Sequence, residues 1–544
     1  MDHQRIISNL TRLVEVPSVS GSPGEDRIID TLREMLMEID YFREHPGSIK
    51  VLPTLNDPRG RRFITAFLPG EVESGDTVIL MSHVDVVGVE EFGTLKGYAF
   101  NPEEYLMRLR ETELPPEVSA DAESGEYMFG RGVLDMKFGI ALHLEVLHQA
   151  ARVRERLRGN LLFLAVPDEE DSSVGMLSAV PELLRLKREG LNLLAAVNSE
   201  PFFPRFPGDT GSYLYTGTVG KVLLFVYAAG QSTHGGSPFA GLNVNLLLGR
   251  IVEALEMNPY LTDGGGGDWV PPPVCLKMSD LRQDYSVQTP VSAYAYFNIT
   301  TLGSTPGEVL EKARQLVAEA CSETVRVIGR RAGEYSRLTG RAVAAPSWDV
   351  RVFTFSEFLE SCAGAAGTEQ GSLLAGIGRQ VDSRDLREGT RECFETLHRM
   401  SGMSGPLVVL GFAPPYYPYS LLGSSPAEER VRGVVDRVIS RARNKHREKI
   451  EEQRFFPGLS DMSYLRLPGG PSPAGVEENT PLWGERYLVP LKAIAELDVP
   501  FINIGPRGRD VHKPTERLHL PYSLRVTADL IMFSVSCLLE GFDV

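Results

Sequence analysis

Short apolar runs alternating with helical stretches constrain the fold of this chain more than any other feature. The runs are Phe63–Leu68, Val78–Met81, Leu161–Val166 and Leu193–Val197, and each is short enough to be a buried strand. Helical spacing predicts helices at about Met136–Ala150 and Leu177–Lys187, between the later runs. After Pro23, Ile28, Ile29, Leu32, Met35, Leu36 and Ile39 fall on one helical face. Strands that alternate with helices predict an α/β fold, with a mostly parallel sheet sandwiched by helices.

The pattern changes after Glu200. PFFPRFPGDTG is a Pro/Gly-rich break, and Lys221–Ala229 then reads as a strand. A helix at about Asn243–Met257, the loop DGGGGDWVPPP and the alternating strand Val291–Thr300 follow. STPGEVLEKARQLVAEA places Leu310, Ala313, Leu316, Val317 and Ala320 on one helical face. This order predicts a small split βαβ, ferredoxin-like domain, enlarged by residues 323–404. PLVVLGFAPPYYP and VPFINIGPRG read again as strand-then-loop units of the first domain. A chain of 544 residues exceeds what one core supports, since single cores stop growing at roughly 250–300 residues. The expected division is therefore a metal-binding domain at 1–204 and 405–544, with a lid and dimerisation domain at 205–404 inserted in it.

Composition removes several function classes. With 56 Lys and Arg against 72 Asp and Glu, the net charge is −16, which repels phosphate backbones and argues against nucleic-acid partners. No apolar run approaches the roughly 20 residues that span a bilayer, so no membrane partner is expected. MDHQRIISNLTRLVEV is an amphipathic helix without a secretory pattern. The five cysteines are scattered with no CxxC pair, which suits reduced thiols in a cytoplasmic protein. ERVRGVVDRVISRARNKHREKIEEQR mixes both charge signs and reads as a solvated helix face.

The chemistry concentrates at strand ends. Val78–Ser82 runs into His83 and Asp85, Leu161–Val166 into Asp168, Glu169 and Glu170, Leu193–Ser199 into Glu200, and Phe501–Ile504 through GPRGRD to His512. Ligands of open α/β sheets bind beyond the carboxyl ends of the strands. GRGVLDMKFG sets Asp135 on a Gly-rich turn before a helix. Imidazole and carboxylate together suit a divalent transition metal such as zinc. Asp85 stands two residues from His83, where it could hold the ring's other nitrogen. Of two adjacent glutamates, one can coordinate while the other takes a proton.

SHVDVV, GRGVLDMKFG, the PDEED stretch, NSEP, QSTHGGSPFAGLNVN and GPRGRDVHKPTE resemble, in order, the motifs of the M-20 family of co-catalytic zinc peptidases and amidohydrolases. The length and GFAPPYYPYS are most similar to the arginine-utilisation (RocB) branch of that family. The resemblance implies two divalent ions, zinc or alternatively cobalt or manganese. His83 and Glu200 would hold one, Glu170 and His512 the other, and Asp135 would bridge them. It further implies Glu169 as general base, Asp85 as the residue orienting His83, and His234 as an oxyanion-stabilising group reached across a homodimer formed through the inserted domain. Many members carry Asp-x-Arg on the lid strand before the Pro-Gly helix. Phe297-Asn298-Ile299-Thr300-Thr301 stands here instead, so the carboxylate clamp is not carried over. The implied activity is hydrolysis of an amide in an N-acyl amino acid or short peptide, in arginine or ornithine catabolism. The alternatives are a dipeptidase or aminopeptidase without acyl preference, and an inactive metal-dependent binding protein.

Overall fold

A computed structural model describes the chain apart from residues 207, 266, 345–347, 468–472 and 541–544. Contacts divide it into two compact units. The first comprises Met1–Thr218, Ser420–Pro471 and Pro490–Val544, and the second Val219–Tyr419 and Ser472–Val489.

The first unit is built on an eight-stranded sheet in the order Ile49–Pro53, Arg62–Pro69, Arg158–Val166, Val72–His83, Asn192–Asn198, Phe501–Asn503, Ser212–Tyr215, Ile450–Gln453. Its four central strands, Arg158–Val166, Val72–His83, Asn192–Asn198 and Phe501–Asn503, are mutually parallel. Antiparallel pairing begins at Arg62–Pro69 on one side and at Ser212–Tyr215 on the other. Parallel strands are covered on both faces, which is why these read as near-continuous apolar runs. The core joins Val78, Leu80, Leu161 and Phe163 of the sheet to Leu10 and Leu13 near the N-terminus, Ile140 and Leu144 of Lys137–Arg152, and Leu530 of Ala528–Leu538. The Pro426–Arg441 helix is solvated on one side only, since Val431, Val434, Val435 and Val438 are buried.

The second unit centres on a five-stranded sheet, ordered Val274–Asp280, Ser292–Thr301, Gly220–Ala229, Leu407–Tyr417, Arg351–Thr354. The first three pairings are antiparallel and the last is parallel. Helices Val244–Leu255, Pro306–Thr339, Phe355–Ala366 and Leu386–Ser401 pack around it. The Pro306–Thr339 helix starts at a Thr305/Glu308 capping box and ends at Gly340, whose φ of +69° closes it.

One segment is placed differently from the sequence expectation. Residues 405–417 do not rejoin the first sheet; Leu407–Tyr417 pairs with Gly220–Ala229 inside the second unit. Every position of this strand is buried, so both its faces are covered. Burial on both faces yields the same unbroken apolar run that a central parallel strand shows, and periodicity cannot separate the two. Among the described residues no helix is long and apolar enough to cross a membrane.

Candidate functional site

The four parallel strands place their carboxyl ends side by side. His83 pairs in register with Val166, and Asn503 with Asn198. The turns that follow therefore bring His83, Glu169, Glu170 and Glu200 to one edge of the first unit, and the loop after Phe501–Asn503 brings His512. Glycine permits the closest approach: a Cβ on Gly505 would stand 1.9 Å from the carbonyl oxygen of Glu200. Reciprocal bonds lock the same junction. The Glu200 amide donates to Asn503 Oδ1 at 2.9 Å, and Asn503 Nδ2 donates to the Glu200 carbonyl at 3.0 Å.

Asp135 stands between the two histidines. Its Oδ1 is 3.2 Å from His83 Nε2, and its Oδ2 is 3.4 Å from His512 Nε2. His512 Nε2 also reaches Glu170 Oε1 at 2.9 Å. Ligand-type atoms of His83, Glu169 and Glu170 lie within 4.8 Å of one another, as do those of Asp135, Glu170 and His512. Two overlapping triads of imidazole and carboxylate are a donor set that fits divalent transition metals. Glu200 belongs to neither triad, and its Oε1 accepts from Asn198 Nδ2 at 3.1 Å and Ser460 Oγ at 2.8 Å.

Asp85 acts differently from its expected contact. The nearer partner of His83 Nδ1 is the main-chain oxygen of Asp85, at 3.0 Å, while the carboxylate lies 3.6 Å away. That carboxylate instead accepts the amides of Glu169 at 3.0 Å and Glu170 at 3.1 Å, and the Ser20 hydroxyl at 2.7 Å. One residue thereby positions both the imidazole and the glutamate pair.

Electrostatics follow from burying so many acids together. Burial alone would raise the Asp135 carboxyl, but hydrogen bonds from His512 and His83 overcome it and hold the group well below the usual carboxylate range. Burial, then the neighbouring Glu200 and Glu170 carboxylates, push Glu169 well above its ordinary value, with His83 opposing. Burial drives Glu200 up to about 7. Burial lowers His512, yet Asp135 and Glu170 outweigh it and raise the imidazole to about 10. Carboxylates this crowded favour a compensating cation.

Several supporting residues lie far along the chain from the groups they hold. Glu516 is fully buried and accepts the amides of Gly132 at 2.9 Å and Leu134 at 3.2 Å, which fixes the turn bearing Asp135. Its other oxygen receives Arg131, whose second nitrogen donates to the His512 carbonyl at 3.0 Å. Glu516 closes the quoted DVHKPTE motif, so that motif was the available signal. Arg61 pairs with Glu25, Asp57 and Asp168 beneath the PDEED turn. Asp461 is buried, and burial raises its carboxyl well above the usual range, with Ser173 and His83 opposing. His143 is a core residue, its Nδ1 2.8 Å from Ser82 Oγ.

Strain collects in the same place. His512 has φ of 67° and Asp168 of 73°, left-handed values that cost a non-glycine residue roughly 1–2 kcal/mol. His234 lies in the second unit on an exposed turn, where its Nδ1 accepts the Gly236 amide at 3.0 Å.

A model described as peptidase family M20/M25/M40 matches residues 79–476. The chain is 36% identical over 542 residues to YqjN of Bacillus subtilis, covering 98% of this chain and 96% of that protein. It is 35% identical over 546 residues to protein RocB of the same organism, covering 99% and 96%. Among solved structures, a tripeptidase from Staphylococcus aureus matches with a TM-score of 0.56, covering 99% of this chain and 100% of that one. At 12% identity that likeness concerns the fold alone.

Proposed function

The chain belongs to peptidase family M20/M25/M40 and is a metal-dependent hydrolase, and on that premise we propose that it cleaves the amide bond of an N-acyl amino acid or short peptide. His83 and Glu200 would hold one divalent ion, Glu170 and His512 a second, with Asp135 shared between them. The single observation that carries this reading is Asp135, whose two oxygens each face a different histidine. Such ions, zinc first and cobalt or manganese as alternatives, polarise a carbonyl and acidify water.

The residues of the chain do the rest. Glu169 takes the proton of the attacking water and returns it to the departing amine. Its burial and the neighbouring carboxylates raise its proton affinity, which favours a proton acceptor. Asp85 holds the amides of both glutamates and sets the tautomer of His83. His234 would serve the developing oxyanion. The resemblance of the length and GFAPPYYPYS to the arginine-utilisation branch favours arginine or ornithine catabolism. A cytoplasmic setting is supported by five cysteines that form no disulfide.

Metal analysis combined with a screen of N-acyl amino acids and dipeptides tests the reading. Two equivalents of metal per chain and release of free amino acid are expected; fewer than two, or no amide hydrolysis, would overturn it. Asp85→Ala is expected to weaken metal affinity by about 10–100-fold, measured by competition with a chelating dye.

A homodimer through the second unit is part of the same proposal. Val274–Asp280 is an edge strand with a register shift between Cys275 and Lys277, and its Val274, Leu276 and Met278 side chains are 43%, 54% and 44% exposed. Exposed apolar side chains on an edge strand are what a second copy would cover. Leu276→Asp is expected to convert a dimer to a monomer in sedimentation equilibrium; an unchanged mass would remove this strand from the interface.

A further inference from the structure

A cavity of about 320 Å³ lies in the first unit and shares no residue with the His83–His512 cluster. Arg441, Lys445, His446, Arg525, Asp529 and Phe533 line it. Among the described residues Asp529 is the only carboxylate in its walls, and four donors saturate it. Arg441 Nη2 and Lys445 Nζ donate to Oδ1 at 2.7 and 2.8 Å; Arg441 Nε and His446 Nε2 donate to Oδ2 at 2.7 and 2.8 Å. A carboxylate has about four acceptor sites, so this one orders the cations around it and has nothing left for a further donor.

Positive charge remains in excess. Arg441, Lys445 and Arg525 are three cations against one carboxylate, a surplus of two even with His446 neutral. This stands out on a chain whose net charge is −16. Lys445 spends one ammonium hydrogen on Asp529, and the Arg525 side chain makes no hydrogen bond or ion pair with the described residues. Arg441 lies 4.3 Å over the Phe533 ring, which fixes its plane.

The backbone is irregular on both sides of the cavity. Ala442–His446 and Ser523–Thr527 are π-helical turns, and they supply Lys445 with His446, and Arg525. Such turns are uncommon and are often found at functional sites. Both are tied to Arg507, through Glu448 at 3.2 Å for the first and the Ser523 hydroxyl for the second.

We propose that this cavity is a second ligand site, for a small oxyanion, carboxylate or phosphate, held by Lys445, Arg525 and Arg441 with Phe533 as its apolar wall. Guanidinium and ammonium groups pre-ordered by a saturated carboxylate recognise such oxygens without paying again for their own ordering.

Calorimetric titration of the metal-loaded full-length protein with inorganic phosphate, and separately with acetate, at ionic strength fixed by chloride, tests this. Saturable binding of at least one anion is expected, weakened at least 10-fold by Arg525→Ala and by Lys445→Ala. Phosphate alone binding would identify a phosphorylated ligand; acetate binding, a carboxylic acid. Both variants are expected to keep the parent's hydrolytic rate without added anion. No saturable heat from either anion overturns the proposal. So does equal affinity in the parent and both variants, which would place the anion elsewhere, for instance on the metals.

Discussion

Glu169→Gln is expected to lower kcat by about 10²- to 10⁴-fold while the protein keeps its full metal complement. The amide matches the carboxylate in shape but cannot carry a proton from water to the leaving amine. Glu169 is buried, and its main-chain amide is held by Asp85 at 3.0 Å, so the substitution leaves its position intact. The change also removes one negative charge from a pocket where Glu200 and Glu170 already crowd it. The metal-free variant is therefore expected to unfold at no lower a urea concentration than the metal-free parent. Steady-state kinetics with metal analysis on the same sample check both halves. A near-normal kcat would reject Glu169 as the base, whatever the metal content.

Glu516→Ala is expected to cost about 3–5 kcal/mol of stability, the usual consequence of leaving a buried partner charge uncompensated. That partner is Arg131, which is 1% exposed. The loss is a large share of the roughly 5–15 kcal/mol that holds a typical domain folded. It also frees the amides of Gly132 and Leu134 and loosens Arg131 from the His512 carbonyl. Asp135 and His512 would then lose their common support, so activity is expected to fall even where the fold survives. Glu516→Gln keeps an acceptor for the two amides and should lose less. Urea unfolding curves at fixed metal concentration compare the three proteins. An alanine variant as stable as the parent would show that the Arg131 pair contributes nothing.

Much of the site is legible in the sequence. His83, Glu169, Glu170 and Glu200 follow apolar runs directly, because a parallel strand must be apolar along its length and can only turn polar where it leaves the sheet. The supporting contacts were not legible. Glu516 reaches Gly132 across 384 positions and Ser460 reaches Glu200 across 260, and no local pattern encodes such a pairing. Asp85 shows a subtler gap. Its closeness to His83 is written in the spacing, but that its carboxylate grips two glutamate amides depends on how two turns meet.

The fold divides in the same way. Residues 323–404 resisted reading because they mix the end of the long Pro306–Thr339 helix, a four-residue strand and three helices, with no alternation to reveal them. Leu407–Tyr417 reads from sequence as a strand of the first sheet but pairs in the second, because its burial on both faces erases the period that would show its neighbours.

Residue order along the chain is enough to specify an α/β protein with imidazoles and carboxylates at the ends of its strands, since hydrophobic period and turn chemistry are local properties. Which strands are neighbours is another matter. The central order, Arg158–Val166, Val72–His83, Asn192–Asn198, Phe501–Asn503, is not the order of synthesis. Only packing both sheet faces against helices selects it. That selection turns residues scattered from His83 to His512 into two triads that share Glu170, with Asp135 facing both histidines.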